Sequence, residues 1–201
     1  MILFYGAPMS SAGRTHAMLE ETGVPYEYVR VGPMTGGTRT PEYLAINPAG
    51  KVPFLIDGDV RLGESIAINF YLAERYVPAM WSSDLSERAL IYQWSLWAIT
   101  NVQPEVLTVM FHSAMLPEPQ RIPALVDKAK ERLVPLLDHF DRALEGREHL
   151  VGDRYTVADL NAASVLNLAR AMSLEGDRPR LRAWLDRARA RPAWQRAAAA
   201  G

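Results

Sequence analysis

The order of strand and helix signals predicts an α+β chain in two parts, a small α/β module followed by an all-helical module. Three observations carry this. Over the first 76 or so residues, short apolar or alternating stretches interleave with helical ones. After "VPAMWSSD" (Val77–Asp84) the strand signals vanish and helical stretches fill the rest. Proline and glycine mark most of the boundaries.

Taken in order, "ILFY" (Ile2–Tyr5) reads as a short buried strand. "SSAGRTHAMLEETG" follows as a helix with a serine cap and a stop at Gly23. "YEYVRV" (Tyr26–Val31) alternates like a strand. A Gly/Thr/Pro loop over Gly32–Pro41 leads to a short helical turn near Glu42–Ile46. "VPFLI" and "VRL" pair as a hairpin around Asp57-Gly58, a favoured two-residue turn. "ESIAINFYLAERY" (Glu64–Tyr76) reads as a helix, so the order is β-α-β, then β-β-α. The remainder predicts helices over Leu85–Met110, Pro123–Glu145, Val157–Met172 and Arg178–Ala190, with Pro104 kinking the first and Pro135 bending or splitting the second. The domains expected are 1–77 and 85–201, joined by a linker over 78–84.

Composition excludes several function classes. Of 201 residues, 49% are hydrophobic and 22% charged, and the formal net charge is −1 with no basic block. Nucleic acid is therefore not expected as a main partner. The apolar runs are too short and too interrupted for a transmembrane helix. "MILFYGAPMSS" lacks a positive leader and a long apolar region, so a cytoplasmic location is expected. There is no cysteine, which removes disulfides, thiolate metal sites and cysteine nucleophiles. Any thiol chemistry must use a thiol that arrives with the substrate, and no metal site is expected.

Two local patterns stand out. In "NPAGKVPFLIDGD" (Asn47–Asp59), Pro53 sits where a strand should begin, although proline has no N–H for a sheet. Taken alone, it reads as an ordinary trans proline at a strand start. "YTVADL" places Thr156 three residues before Asp159 at the head of an apolar helix, a capping-box pattern with no catalytic role for Asp159.

A β-α-β/β-β-α order with a proline before the third strand resembles a thioredoxin-like domain. Joined to an all-α C-terminal domain, the chain resembles a cytosolic glutathione transferase of serine type, similar to theta, phi and zeta members. "NPAGKVPFLIDGD", "LGESIAINFYL", "VGDRYTVADL" and "ARPAWQRA" carry the resemblance across nearly the whole chain. It implies a cis Val52–Pro53 bond and a Val52 backbone free to pair with the tripeptide glutathione as an added strand edge. It implies that Ser65, at a helix N-terminus, holds the γ-glutamyl carboxylate and that Glu64 faces its ammonium; the alternative for both is a plain N-cap. Arg39 and Lys51 are candidates for the glycyl carboxylate, with solvated surface charges the alternative.

The chemistry asks for a thiolate. A free thiol has a pKa of about 8.5, and lowering it by about two units takes roughly 2.7 kcal/mol. One hydrogen bond to a charged group supplies about 1.5–3 kcal/mol and a helix N-terminus up to about 1 kcal/mol, so one hydroxyl there suffices. "APMSSAGR" (Ala7–Arg14) supplies two. In the resembling classes the catalytic serine precedes an arginine by four positions, which selects Ser10 from Arg14. Ser11 is the cap or second donor, and Arg14 organises the loop from behind. A tyrosine-type branch of the family makes Tyr5 a competitor. The electrophile is expected against "YQWSLWAITNVQPEVLTVMFHSAM" (Tyr92–Met115), with Met9, Trp97, Val109, Met110 and His112 as lining candidates, each of which also fits core packing.

The resemblance implies transfer of alkyl or aryl groups other than methyl to glutathione as co-substrate, by a homodimer. Two alternatives remain open at this point: a glutathione-dependent isomerase resembling maleylacetoacetate isomerase, and a non-catalytic glutathione-transferase-like binding protein.

Overall fold

A computed structural model of the chain describes residues 1–33 and 35–200. Met34, inside the loop expected over Gly32–Pro41, lies outside the described residues.

The chain forms two units. The first contains strands β1 (Ile2–Gly6), β2 (Tyr26–Arg30), β3 (Phe54–Asp57) and β4 (Val60–Gly63), with helices α1 (Ala12–Thr22), α2 (Pro41–Ile46) and α3 (Ser65–Tyr76). The sheet order is β2-β1-β3-β4. β1 and β2 are parallel; β1–β3 and β3–β4 are antiparallel. This is the thioredoxin-like arrangement expected from the strand and helix order.

Alternation along β1 sets the two faces. Phe4 is fully buried and meets His16 of α1, with Met18, Leu19, Leu55, Ile68 and Leu72 also buried in this unit. Tyr5 points to the other face and packs with Tyr43 of α2 and Phe54. Gly23 ends α1 with φ 65°, the left-handed stop that its sequence position predicts. The hairpin turn differs by one residue from expectation: Asp57 pairs with Val60, so the central residues are Gly58 and Asp59. Only Gly58 has positive φ, which is the requirement of a turn with glycine at its first central position.

The second unit spans Ser83–Arg189. It holds helices α4 (Leu85–Trp97), α5 (Gln103–Met110), α6 (Pro123–Ala143), α7 (Val157–Ala171) and α8 (Pro179–Arg189). Between α4 and α5 the chain makes a wider turn over Ala98–Val102, where Gln103 N–H donates five residues back to Ala98 O. Pro104 has no N–H and would crowd a regular turn, so the helix widens ahead of it rather than only kinking. α6 runs through Pro135 without splitting. Its core is aromatic: Trp94, Phe140 and Trp184 are buried, and Phe140 and Trp184 meet edge to face.

The last helix, α9 (Pro192–Ala199), falls outside the helices read from sequence. It packs on α1, so the chain from Ala190 joins the first unit, not the second as the 85–201 expectation had it. Arginines tie it there. Arg191 makes a bidentate pair with Glu21 at 2.6 and 2.8 Å, and Arg196 reaches Glu20 at 2.6 Å.

Candidate functional site

Sheet register gathers the candidate residues at one end of the first unit. Tyr5 pairs with Phe54 and Phe54 with Gly63. Beyond that row, β1 leads into the Ala7–Ser11 loop, β3 is preceded by Val52-Pro53, and β4 runs out into Glu64-Ser65. Residues 41 and 54 positions apart in sequence thus arrive together because three strands stop in step.

The Val52–Pro53 peptide is cis, as the resemblance implied. Val52 belongs to no strand pair among the described residues. The loop before it is built by Asn47, Gly50 and Tyr43. Asn47 Oδ1 accepts from Ala49 N–H at 3.2 Å and Asn47 Nδ2 donates to Lys51 O at 2.8 Å. The Tyr43 hydroxyl donates to the same carbonyl at 2.6 Å. Gly50 has φ 58°, and an added Cβ would stand 2.7 Å from Arg39 Nη1 and 2.9 Å from Thr38 O; only glycine fits both the conformation and the space. Arg39 therefore lies against the loop that carries Lys51, and both cations are exposed.

Ser10 and Ser11 open α1. The Ser10 hydroxyl donates to Ala7 O at 2.7 Å and accepts from Ala12 N–H at 3.1 Å. The capping role considered for Ser11 is thus filled by Ser10, and the Ser11 side chain makes no capping bond. Instead its hydroxyl reaches Val52 O at 3.4 Å, on the unpaired strand edge. Met9 precedes them with φ 54° and 90% exposure. Arg14 is buried, and burial lowers its guanidinium to about 10. Its carbonyl accepts from Asn69 Nδ2 of α3 at 3.4 Å, so the N-terminal turns of α1 and α3 are cross-linked.

At α3, Ser65 is buried in the first turn and Glu64 is the N-cap. Glu64 has φ 62° and ψ 107°, and its side chain makes no capping bond. A non-glycine residue at such angles costs about 1–3 kcal/mol, and such strain gathers at functional sites.

The remaining candidates separate clearly. Tyr5 is 8% exposed and packs in a cluster with Tyr43 and Phe54. Val109 is 2% exposed, which corrects its expectation as a pocket-lining residue: it belongs to the core. Trp97 is half-buried and stacks on Phe140 at 5.7 Å and 18°. Met110 is half-buried. His112 Nδ1 accepts from Ile122 N–H at 3.2 Å, which holds the segment before α6. No group of side chains among the described residues is arranged to hold a metal. No described helix is long and apolar enough to cross a membrane.

An unpaired strand edge beside two hydroxyls and a helix start without a side-chain cap meet at one end of this thioredoxin-like unit. The chain matches the models for "Glutathione S-transferase, N-terminal domain" over residues 1–74 and "Glutathione S-transferase, C-terminal domain" over residues 102–192. Glutathione S-transferase F10 of Arabidopsis thaliana is 34% identical, covering 99% of this chain and 97% of that relative. Glutathione S-transferase 3 of Zea mays is also 34% identical, covering 98% and 92%. Among solved structures, the theta class glutathione S-transferase of Xanthomonas axonopodis pv. citri, with glutathione bound, superposes with TM-score 0.88 at 34% identity, covering 98% of this chain and 96% of that one. The chain belongs to the glutathione S-transferase family.

Proposed function

We propose that the chain is a serine-type glutathione transferase that activates glutathione as thiolate and conjugates it to a hydrophobic electrophile. The observation that carries this reading is the convergence at one sheet end of two hydroxyls, an unpaired strand edge and an uncapped helix start. Val52 pairs with the cysteinyl residue as an added strand. Ser65 and the first N–H groups of α3 hold the γ-glutamyl carboxylate, and Glu64 faces its ammonium. Arg39 and Lys51 take the glycyl carboxylate.

Ser10 donates to the thiolate. Because its oxygen accepts from Ala12 N–H at a helix start, its own proton is polarised for donation. On binding it moves from Ala7 O to the sulfur. Ser11, beside Val52 O, is the second donor. The thiol proton leaves to solvent and the sulfur attacks carbon. In substitution the new C–S bond displaces the leaving group; in Michael addition the resulting carbanion takes a proton from water. Met9 is the exposed apolar side chain next to Ser10. The reading extends to a cytoplasmic homodimer: Leu85, Tyr92 and Leu96 share one exposed face of α4, apolar surface suited to a second copy.

Ser10→Ala tests the reading. Loss of one bond to a charged sulfur, about 1.5–3 kcal/mol, lowers turnover near pH 7 by about 10–100-fold. The ultraviolet absorbance of bound thiolate is to titrate nearer the free-thiol value. A fully active Ser10→Ala with an inactive Ser11→Ala or Tyr5→Phe overturns the assignment. Turnover that leaves glutathione unconsumed points to the isomerase instead.

A further inference from the structure

We propose that Tyr43 and Asn47 are positioning residues that aim the Val52 N–H at the bound peptide, an inference that rests on the glutathione reading above. The peptide unit joining Lys51 to Val52 is planar and, being trans, directs the Lys51 carbonyl and the Val52 N–H in opposite directions. Two donors grip that carbonyl: the Tyr43 hydroxyl at 2.6 Å and Asn47 Nδ2 at 2.8 Å. Both donors come from buried residues, 4% and 6% exposed, anchored in and directly after α2. Asn47 is itself held, its N–H donating to Tyr43 O at 2.8 Å and its Oδ1 accepting from Ala49 N–H. The Tyr43 ring packs against Tyr5 of β1, and the Val52 side chain packs on the same cluster. With the carbonyl fixed from two directions inside, the plane cannot rotate and the N–H on its far side stays turned away from α2.

A strand edge binds an incoming peptide well only when its N–H and C=O are already oriented, since ordering them during binding costs affinity. α2 is a six-residue helix with no side chain of its own among the candidate ligand groups; the carbonyl clamp gives it a task. Tyr43 and Asn47 touch neither thiol nor electrophile. They act through one backbone amide.

The test uses Tyr43→Phe and Asn47→Ser in the full chain, with S-methylglutathione as titrated ligand and a pseudopeptide of it whose cysteinyl carbonyl is reduced to methylene. Tyr43→Phe keeps the ring and removes only the hydroxyl. The expected result is a five- to tenfold weaker Kd for S-methylglutathione, a matching rise in KM for glutathione, and kcat within twofold at saturating glutathione. The pseudopeptide lacks the acceptor for Val52 N–H, so wild type and variants are to bind it equally. Equal weakening of both ligands means general loosening and overturns the proposal. So does unchanged affinity for S-methylglutathione in both variants. If Tyr43→Phe does not fold, Asn47→Ser alone decides by the same comparison. Wild-type chain that fails to bind S-methylglutathione overturns the glutathione reading, and the clamp's purpose with it; a wild type that binds while the variants bind equally well overturns the clamp alone.

Discussion

Two helix starts in this molecule solve the same problem in opposite ways. Each leaves backbone N–H groups without helical partners. At α7 the chain supplies its own carboxyl. Asp159 accepts from Thr156 N–H at 2.9 Å, from Leu150 N–H at 3.0 Å, from Trp184 Nε1 at 2.9 Å and from the Thr156 hydroxyl at 3.2 Å. It is fully buried. At α3 the N-cap Glu64 stands at a strained angle and its side chain makes no capping bond. A start closed from within is a structural joint. A start left open is, in the proposed function, where a carboxylate from outside binds.

Substitutions at the two starts are therefore expected to fail in different assays. Asp159→Ala strands three N–H donors in the core at about 1–3 kcal/mol each, so urea unfolding is to show a loss of about 4 kcal/mol or more. Glutathione affinity of the protein that remains folded is to stay within twofold. Ser65→Ala reverses the pattern. Loss of a hydrogen bond to a carboxylate, about 1.5–3 kcal/mol, weakens glutathione binding by roughly 10–100-fold. The unfolding midpoint is to shift little, because the lost partner is not part of the chain. Equal stability losses at both positions would erase the distinction between joint and site.

The local pattern of one of these starts was legible in the sequence. Thr156 and Asp159 are three residues apart and adjacent to an apolar run, and the box they announce is formed. Its other partners, Leu150 and Trp184, lie 9 and 25 residues from Asp159, and no local pattern points to them. The first unit was legible for the same reason: strand alternation and the Gly23 stop are short-range signals. The missed features depend on distant packing. α9 is a short run of one proline, Trp194, Gln195, Arg196 and alanines, and Arg191 and Arg196 tie it to α1 by ion pairs to Glu21 and Glu20 about 170 residues away. Asn47 and Tyr43 stood within or near the quoted motif, yet their shared target is a backbone carbonyl, which leaves no trace in side-chain spacing. Val109 and Trp97 show the converse. An apolar helix stripe reads alike whether it lines a cleft or fills a core.

Glu64→Gly sharpens the contrast with opposing signs from one change. Glycine tolerates positive φ, so relief of about 1–3 kcal/mol of strain outweighs the roughly 0.5–1 kcal/mol of added unfolded-state freedom. The unfolding midpoint is to rise slightly while affinity for glutathione falls as the carboxylate facing the γ-glutamyl ammonium is lost. A drop in both stability and affinity would mean that Glu64 is an ordinary cap, and that α3 is closed from within after all.

The far end of α3 provides the smallest and most delicate test. There the helix is anchored, not open: Tyr71 and Tyr76 both donate to Asp57 Oδ2 at the β3–β4 hairpin, and Arg75 Nε lies 3.5 Å from it. Burial alone would raise the Asp57 carboxyl, but the two hydroxyls and Arg75 outweigh it and hold the group below its ordinary range. Tyr71 is pushed up to about 12, by burial first and then by Asp57. A depressed carboxyl means the folded state binds the proton less tightly than the unfolded chain. The stabilisation is therefore full above the unfolded value near pH 4, shrinks as pH falls below it, and is gone beneath the lower folded value. Asp57→Asn removes the titrating group and keeps its shape. The stability gap between wild type and Asp57→Asn, measured in urea at constant ionic strength, is to be larger at pH 7 than at pH 3. A gap of equal size at both values would show that packing, not the carboxylate, holds this end of the helix, and the contrast between an anchored end and an open start would then need another cause.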